Sequence, residues 1–142
     1  MKEVNKHIII ALREIGEKEI LGELDNPRIS EYLATVNMAG DDEIPWCAAF
    51  VNWVLKEAGI GGTNRANAKS YLTWGYEIND PILGAICVFH RGSKSWQGHV
   101  GISIDETKSY IYILSGNQED RVSVRPYRKN KLAGIRWNSE FI

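Results

Sequence analysis

Cysteine, long apolar runs and net charge are all scarce in this sequence. Its 142 residues include only two cysteines, Cys47 and Cys87, and neither lies in a CxxC or histidine-rich spacing. This scarcity argues against a disulfide scaffold and against a structural zinc site. The longest wholly apolar run, Ile8–Leu12, is far too short to cross a membrane. We therefore expect no membrane insertion.

The sequence also lacks an excess of either positive or negative charge. The 17 basic and 18 acidic residues leave a formal net charge of -1 at pH 7, and the lysines and arginines form no long run. A chain without a basic face lacks the electrostatic attraction on which nucleic-acid binding depends. We predict that nucleic acid is not a partner.

What is present is typical of one folded domain. Hydrophobic residues make up 44% and charged residues 25% of the chain. A chain of this size buries on the order of two-thirds of its surface when it folds. We predict a single domain over residues 1–142 that acts as a monomer. The N-terminus carries no signal-peptide-like apolar segment, so we expect synthesis in the cytoplasm.

Helical patterns occupy the first half of the chain. Apolar residues recur every three or four positions over residues 5–19, and Asn26-Pro27 begins a second amphipathic pattern. A third pattern, over residues 45–58, is apolar on nearly every face, which indicates a buried helix ended by Gly59. A short helix is predicted over residues 67–74.

The second half changes to the patterns of strands. Five segments rich in β-branched and aromatic residues are separated by Gly, Asp, Asn and Lys: Ala85–Phe89, Val100–Ile104, Tyr110–Leu114, Val122–Arg125 and Gly134–Trp137. No helical pattern lies between them. Helices first and strands afterwards predict an α+β fold in which the N-terminal helices pack on a mainly antiparallel sheet.

Cys47 lies in the first turn of the predicted buried helix, in the segment PWCAAFVNW. Unpaired amide N–H groups and the positive end of the helix dipole favour a thiolate there, so Cys47 is a candidate nucleophile. A second interpretation stays open on spacing alone. In it Cys47 is a small core residue that shares a helix face with Phe50, Val51 and Val54. Cys87, inside an apolar strand, is predicted to be structural.

A thiol nucleophile needs a base, and the chain contains three histidines. We predict that His7 is solvated on an outer helix. His90 ends one predicted strand and His99 begins the next, so both remain candidates. Gly101 favours His99, because a glycine leaves the strand face beside it open to close approach.

An imidazole base is most effective when a third group accepts a hydrogen bond from its other ring nitrogen. Asn117, in the segment SGNQ after the third predicted strand, is the candidate for that role, and Gln118 is a neighbour that could replace it. A Gly-Asn pair is also ordinary turn chemistry, so a turn without catalytic function stays open.

Aromatic residues near these candidates are predicted to border a substrate groove. We expect Trp46, Tyr71 and Trp96 to contact substrate together with Gln118. The run Asp41-Asp42-Glu43 precedes the candidate nucleophile and is a possible calcium site. It lacks the alternating spacing of calcium ligands, so we interpret it as a charge cluster and predict no metal.

Taken together, these segments resemble the CHAP and NlpC/P60 cysteine peptidases and amidases, papain-like enzymes common in phage endolysins and bacterial wall-targeting proteins. The resemblance runs along nearly the whole chain. Its most specific parts are the Trp-Cys block at residues 46–47 and the Gly-His-Val block at residues 98–100. It implies a papain-like fold with five or six strands. It also implies that Cys47 is the nucleophile, His99 the base and Asn117 the group that orients His99.

The resemblance implies a function as well: hydrolysis of an amide bond of bacterial peptidoglycan, by a cysteine endopeptidase or an N-acetylmuramoyl-L-alanine amidase. Such a mechanism needs no cofactor. The implied context is a phage endolysin held in the host bacterial cytoplasm until the membrane is opened. Two alternatives stay open: a secreted antibacterial amidase effector, and a non-catalytic domain that binds the wall or a protein partner.

Overall fold

The computed structural model describes residues 5–19, 26–37 and 46–141 of the chain. Within them the α-helices come first and the sheet follows, as the sequence predicts. The helices are α1 Lys6–Leu12, α2 Pro27–Ala34 and α3 Cys47–Glu57, followed by a 3₁₀ helix at Ala68–Thr73. The strands are β1 Tyr76–Glu77, β2 Ile86–His90, β3 Gly98–Glu106, β4 Tyr110–Ser115, β5 Ser123–Arg128 and β6 Leu132–Trp137, with a second 3₁₀ helix at Lys129–Lys131.

The six strands form one antiparallel sheet in the order β1-β6-β2-β3-β4-β5. All five strands that the sequence predicts are present. The additional strand, β1, pairs through two residues with β6, and two residues are too few to give an alternating pattern. The architecture is α+β, as predicted.

The central helix is α3, in which every residue from Cys47 to Leu55 is buried. It packs against α2 on one side and against β3 on the other. Gly59 has a φ of 79° and follows the end of the helix, in agreement with the prediction. Alternate residues of β3, Val100 and Ile102, belong to the core that the sheet shares with α3.

The first helix is shorter than its apolar periodicity predicts. It ends at Leu12, and Gly16 adopts a φ of 103°. From there the chain pairs with the segment before β5. The Gly16 N–H donates to the Val122 carbonyl at 3.0 Å, and the Val122 N–H donates to the Glu17 carbonyl at 2.8 Å. Backbone pairing to a distant segment replaces the last predicted turns of the helix.

The second helix begins where the sequence predicts. The Asn26 side chain accepts a hydrogen bond from the Arg28 N–H at 2.8 Å, and Pro27 is the first helical residue. Ile29 and Leu33 on the apolar face are buried.

Within the described ranges, no helix is both long and apolar enough to cross a membrane.

His7 is buried, so the prediction that it is solvated is wrong. Its Nε2 donates to the Gly84 carbonyl at 2.8 Å, and its ring stacks on Phe141 with centroids 3.9 Å apart. Burial lowers the pKa of His7 below its ordinary value. The groups that cover His7 come from the loop before β2 and from the C-terminal segment, which local periodicity does not place.

Cys87 lies in a second apolar cluster, on the sheet face away from α3. Phe89, Ile111 and Ile113 belong to the same cluster. Burial raises the pKa of the Cys87 thiol to about 12. Cys87 is therefore a packed and unreactive thiol, in agreement with its predicted structural role.

Candidate active site

Cys47 is the first residue of α3, so it lies at the start of a buried helix as predicted. Its sulfur meets β3 at the backbone N–H of Val100. Burial raises the pKa of the Cys47 thiol, and the amide groups of Val100 and Ala48 and the charge of Arg91 offset this only in part. Burial therefore favours the neutral thiol and opposes the thiolate that the start of the helix favours.

His99 is the second residue of β3 and is buried next to the strand position that Cys47 contacts. Its ring stacks on Tyr127, with centroids 4.8 Å apart and an interplanar angle of 16°. Burial lowers the pKa of His99 to about 4, so the ring is neutral at pH 7. The structure thus brings Cys47 and His99 to the same end of β3. The other candidate base, His90, ends β2 and is exposed.

Gln118 determines which ring nitrogen of His99 carries the proton. Its Nε2 donates to the carbonyls of Ile113 at 3.2 Å and Ser123 at 2.8 Å. With the amide group fixed in this way, its Oε1 faces His99 Nε2 at 2.9 Å and accepts a hydrogen bond from it. The proton therefore resides on Nε2. The other nitrogen, Nδ1, is buried and has no hydrogen-bond partner among the described residues.

Gln118 accepts the hydrogen bond that the His99 ring donates, whereas the resemblance assigned this acceptor role to Asn117. Asn117 has a φ of 59°, in the left-handed region that asparagine tolerates better than most residues. This turn after β4 places Asn117 at the cleft and sends the Gln118 side chain beneath His99. Gln118 is 4% exposed and all its amide atoms are engaged. Gln118 also lines a second depression next to the cleft, so its contact with substrate stays a prediction.

A cleft of about 460 Å³ opens at Cys47. Asn117 borders it, as do Arg91 and Trp96 from the hairpin that joins β2 to β3. Trp96 is 69% exposed at this cleft, and its contact with substrate stays a prediction. A second depression of about 260 Å³ shares Arg91 and Asn117 with the cleft and reaches Tyr127.

Trp46 and Tyr71 are fully buried, which corrects their prediction as substrate contacts. The Trp46 indole N–H donates to Glu19 Oε1 at 2.6 Å, and its ring lies where a side chain on Gly116 would project. Tyr71 packs edge-on against Trp74, with ring centroids 5.6 Å apart. Both rings therefore belong to the core behind the cleft. Their burial depends on contacts with residues distant in sequence, which local sequence patterns do not reveal.

Two residues near the site were not singled out in the sequence: Tyr127, which stacks on His99, and Arg91, which lines the cleft. Tyr127 lies on β5, two strands away from β3, so only the sheet order brings it to His99. Arg91 follows His90 directly, and the pairing of His90 with Gly98 places both ends of that hairpin beside the site. The sequence offered one signal for Arg91: it lies in the short connection between the strand that ends at His90 and the strand that begins near His99.

No three His, Cys, Asp or Glu side chains gather as a metal site in the part of the chain that the structure describes. Asp41 and Asp42, the alternative calcium site, lie outside the described residues.

With the geometry in place, comparison with known proteins gives the family. The family model of the CHAP domain matches residues 39–117, which contain Cys47, His99 and Asn117. The chain belongs to the CHAP domain family. CHAP and NlpC/P60 domains form a peptidoglycan hydrolase-type family whose members are in general cysteine peptidases or amidases.

A solved structure shares the CHAP-type fold. It is described as similar to lipoprotein, NLP/P60 family, from Staphylococcus aureus subsp. aureus Mu50. The two chains agree with a TM-score of 0.54 and 17% sequence identity, over 92% of this chain and 39% of the other. This CHAP chain therefore spans less than half the length of that protein, and the likeness confirms the predicted papain-like fold. No curated protein sequence matches this chain.

Proposed function

We propose that this protein hydrolyses an amide bond of bacterial peptidoglycan, with Cys47 as nucleophile, His99 as base and Gln118 as the residue that positions His99. The observation that carries the proposal is the unpaired, buried Nδ1 of His99, on the residue of β3 that directly precedes the Val100 amide next to Cys47. The hydrogen bond to Gln118 keeps the proton on Nε2, so the lone pair of Nδ1 is free to accept a proton.

The chemistry proposed is acyl transfer between two groups that are neutral at rest. His99 Nδ1 takes the thiol proton as the Cys47 sulfur attacks the amide carbonyl, and the backbone N–H of Cys47 at the start of α3 donates to the oxyanion. Imidazolium then gives its proton to the leaving amine, which leaves a thioester on Cys47. Water, deprotonated by His99, hydrolyses the thioester and restores the thiol.

Digestion of purified bacterial sacculi tests this proposal. Wild-type protein should release muropeptides, Cys47→Ala should release none, and His99→Ala should be slower by about 10²-fold or more. The matched controls are Cys87→Ala and His90→Ala, which remove the other thiol and the other candidate base and should retain activity. Mass analysis of the products distinguishes an endopeptidase from an N-acetylmuramoyl-L-alanine amidase.

Two results would contradict the proposal. If Cys47→Ala solubilises walls as fast as wild type, Cys47 is not the nucleophile. If wild-type protein binds sacculi of several chemotypes and cleaves none, the domain is a wall-binding module.

The setting we propose is that of a phage endolysin, which accumulates in the host bacterial cytoplasm and acts after the membrane is opened. Expression in bacteria should then cause lysis only together with a membrane-permeabilising protein. Lysis of neighbouring cells by protein that its producer exports would instead favour an antibacterial effector.

A further inference from the structure

Arg91 is the charged side chain that lines the cleft at Cys47. The other described residues that line it are uncharged, among them Asn117, Gln97 and Trp96. Arg91 also borders the second depression, so it stands between the two halves of a surface that runs past the candidate nucleophile. A ligand that extends across both depressions must pass this guanidinium group.

The Arg91 guanidinium is exposed and has no hydrogen bond or ion pair with any residue that the structure describes. Several other arginines in the fold have partners. Arg28 pairs with Glu14 at 3.1 Å, and Arg136 donates to the Trp74 carbonyl at 2.7 Å. Glu119, which borders the second depression with Arg91, is paired with Arg125 at 2.8 Å. Arg91 therefore keeps its donors available to a ligand.

The charge of Arg91 reaches the reacting groups. It acts to lower the pKa of both Cys47 and His99, although burial is the larger influence on each. An anion bound to Arg91 would therefore lie within electrostatic reach of the amide under attack. A guanidinium fork matches a carboxylate with two parallel hydrogen bonds, whereas a neutral carboxamide cannot accept both.

We propose that Arg91 binds a carboxylate of the substrate peptide next to the scissile amide, so that the cleft selects acidic peptides over their carboxamide counterparts. This inference rests on the proposed function, since it names the substrate class of that same site. It applies to wall peptides whose stem glutamate carries a free α-carboxylate, and it makes amidation of that carboxylate a way for a wall to resist the protein.

Binding to Cys47→Ala protein tests the inference without depending on hydrolysis. The probes are two synthetic muropeptides that differ only in whether the stem glutamate carries a free α-carboxylate or a carboxamide, measured by calorimetry at low and high salt. We expect the carboxylate form to bind at least about 10-fold more tightly, with a preference that salt weakens. Arg91→Gln in the same protein should bind the two peptides equally.

The matched control is Lys94→Gln, which removes one positive charge from the same hairpin at a residue that does not line the cleft. It should keep the preference. Equal affinity for the two peptides with Arg91 present, a preference that survives Arg91→Gln, or no binding of either peptide would each overturn the inference. Carboxylate-selective binding by a protein that hydrolyses neither peptide when Cys47 is present would instead overturn the proposed function and leave the role of Arg91 standing.

Discussion

At the scale of single residues, the side-chain amide of Gln118 sets the chemistry of His99. Two backbone carbonyls hold the Gln118 amide nitrogen, so its oxygen must face the imidazole. That oxygen requires a donor, which places the His99 proton on Nε2 and leaves the Nδ1 lone pair free. The resemblance assigned this role to the residue before it, and the left-handed turn at Asn117 is the reason for the difference.

Substitution at both positions distinguishes the two assignments. Gln118→Ala removes the acceptor from a buried N–H, so we expect kcat to fall by about 10²-fold or more, in keeping with the loss of an orienting group. Asn117→Ala should have a smaller effect. Nitrogen NMR of His99 should report loss of the Nε2–H tautomer in Gln118→Ala only, which a purely structural role would not produce. A greater loss of activity and tautomer in Asn117→Ala would contradict this assignment.

The burial of Cys47 predicts how its thiol reacts with alkylating agents. Because burial raises its pKa, the thiolate fraction is small at pH 7. We expect the rate of iodoacetamide alkylation to keep rising with pH beyond the ordinary thiol pKa of about 8.5. Cys87, packed in the far core, should react only on unfolding. Rapid alkylation of Cys47 that is independent of pH between 6 and 8 would mean a resting thiolate.

At the scale of elements, the contact between β3 and β4 holds the catalytic candidates in register. Gly101 lies two residues after His99 on β3, and the sequence suggested an uncovered face there. In the structure a Cβ at Gly101 would meet Ile113 Cγ2 at 2.3 Å and Ser115 Cβ at 2.7 Å. Side chains of β4 therefore fill the space that the glycine leaves beside β3.

Gly101→Ala should consequently disturb both the sheet and the site. Overpacking of this kind costs about 1–3 kcal/mol, so we expect the free energy of unfolding to fall by that amount in urea denaturation. The folded fraction should also lose activity, because β4 must move away from β3. Gly61→Ala is the matched control, since no atom lies within 4 Å of a Cβ at Gly61. Equal stability of the two variants would show that the β3–β4 contact is not tight.

At the scale of the whole molecule, two buried imidazoles link the stability of the fold to pH. His7 is enclosed by Gly84 and Phe141, and His99 by Gln118 and Tyr127. Burial lowers the pKa of both rings, for His99 from 6.5 to about 4. Between these two values the unfolded chain binds a proton that the folded chain does not. Stability therefore rises with pH across this window and is lost as the pH falls through it.

Urea unfolding at pH 5 and pH 7 measures this linkage. The free energy of unfolding should be lower at pH 5, with a slope of up to about 1.4 kcal/mol per pH unit for each histidine. His99→Gln and His7→Gln should each reduce the slope. A protein as stable at pH 5 as at pH 7 would contradict the burial of both rings.

Much of this architecture follows from patterns between neighbours along the chain. The Asn26-Pro27 helix start, the continuous apolar character of α3 with Gly59 after it, and five of the six strands are all visible in the sequence. Capping and periodicity depend on residues a few positions apart, so they can be recognised from the sequence alone. For the same reason Cys47 and His99 could be singled out as candidates from their places at element ends.

The rest depended on groups that are distant in sequence. Sheet order brings Tyr127 to His99, the C-terminal segment covers His7, and the hairpin that ends at Gly98 carries Arg91 to the cleft. The choice of Gln118 over Asn117 followed from one backbone torsion and two carbonyl acceptors. Burial sets the charge state of each group, and burial is a property of the packed chain. Local patterns therefore specified the elements and the candidate residues, while long-range packing assigned their partners, protons and exposure.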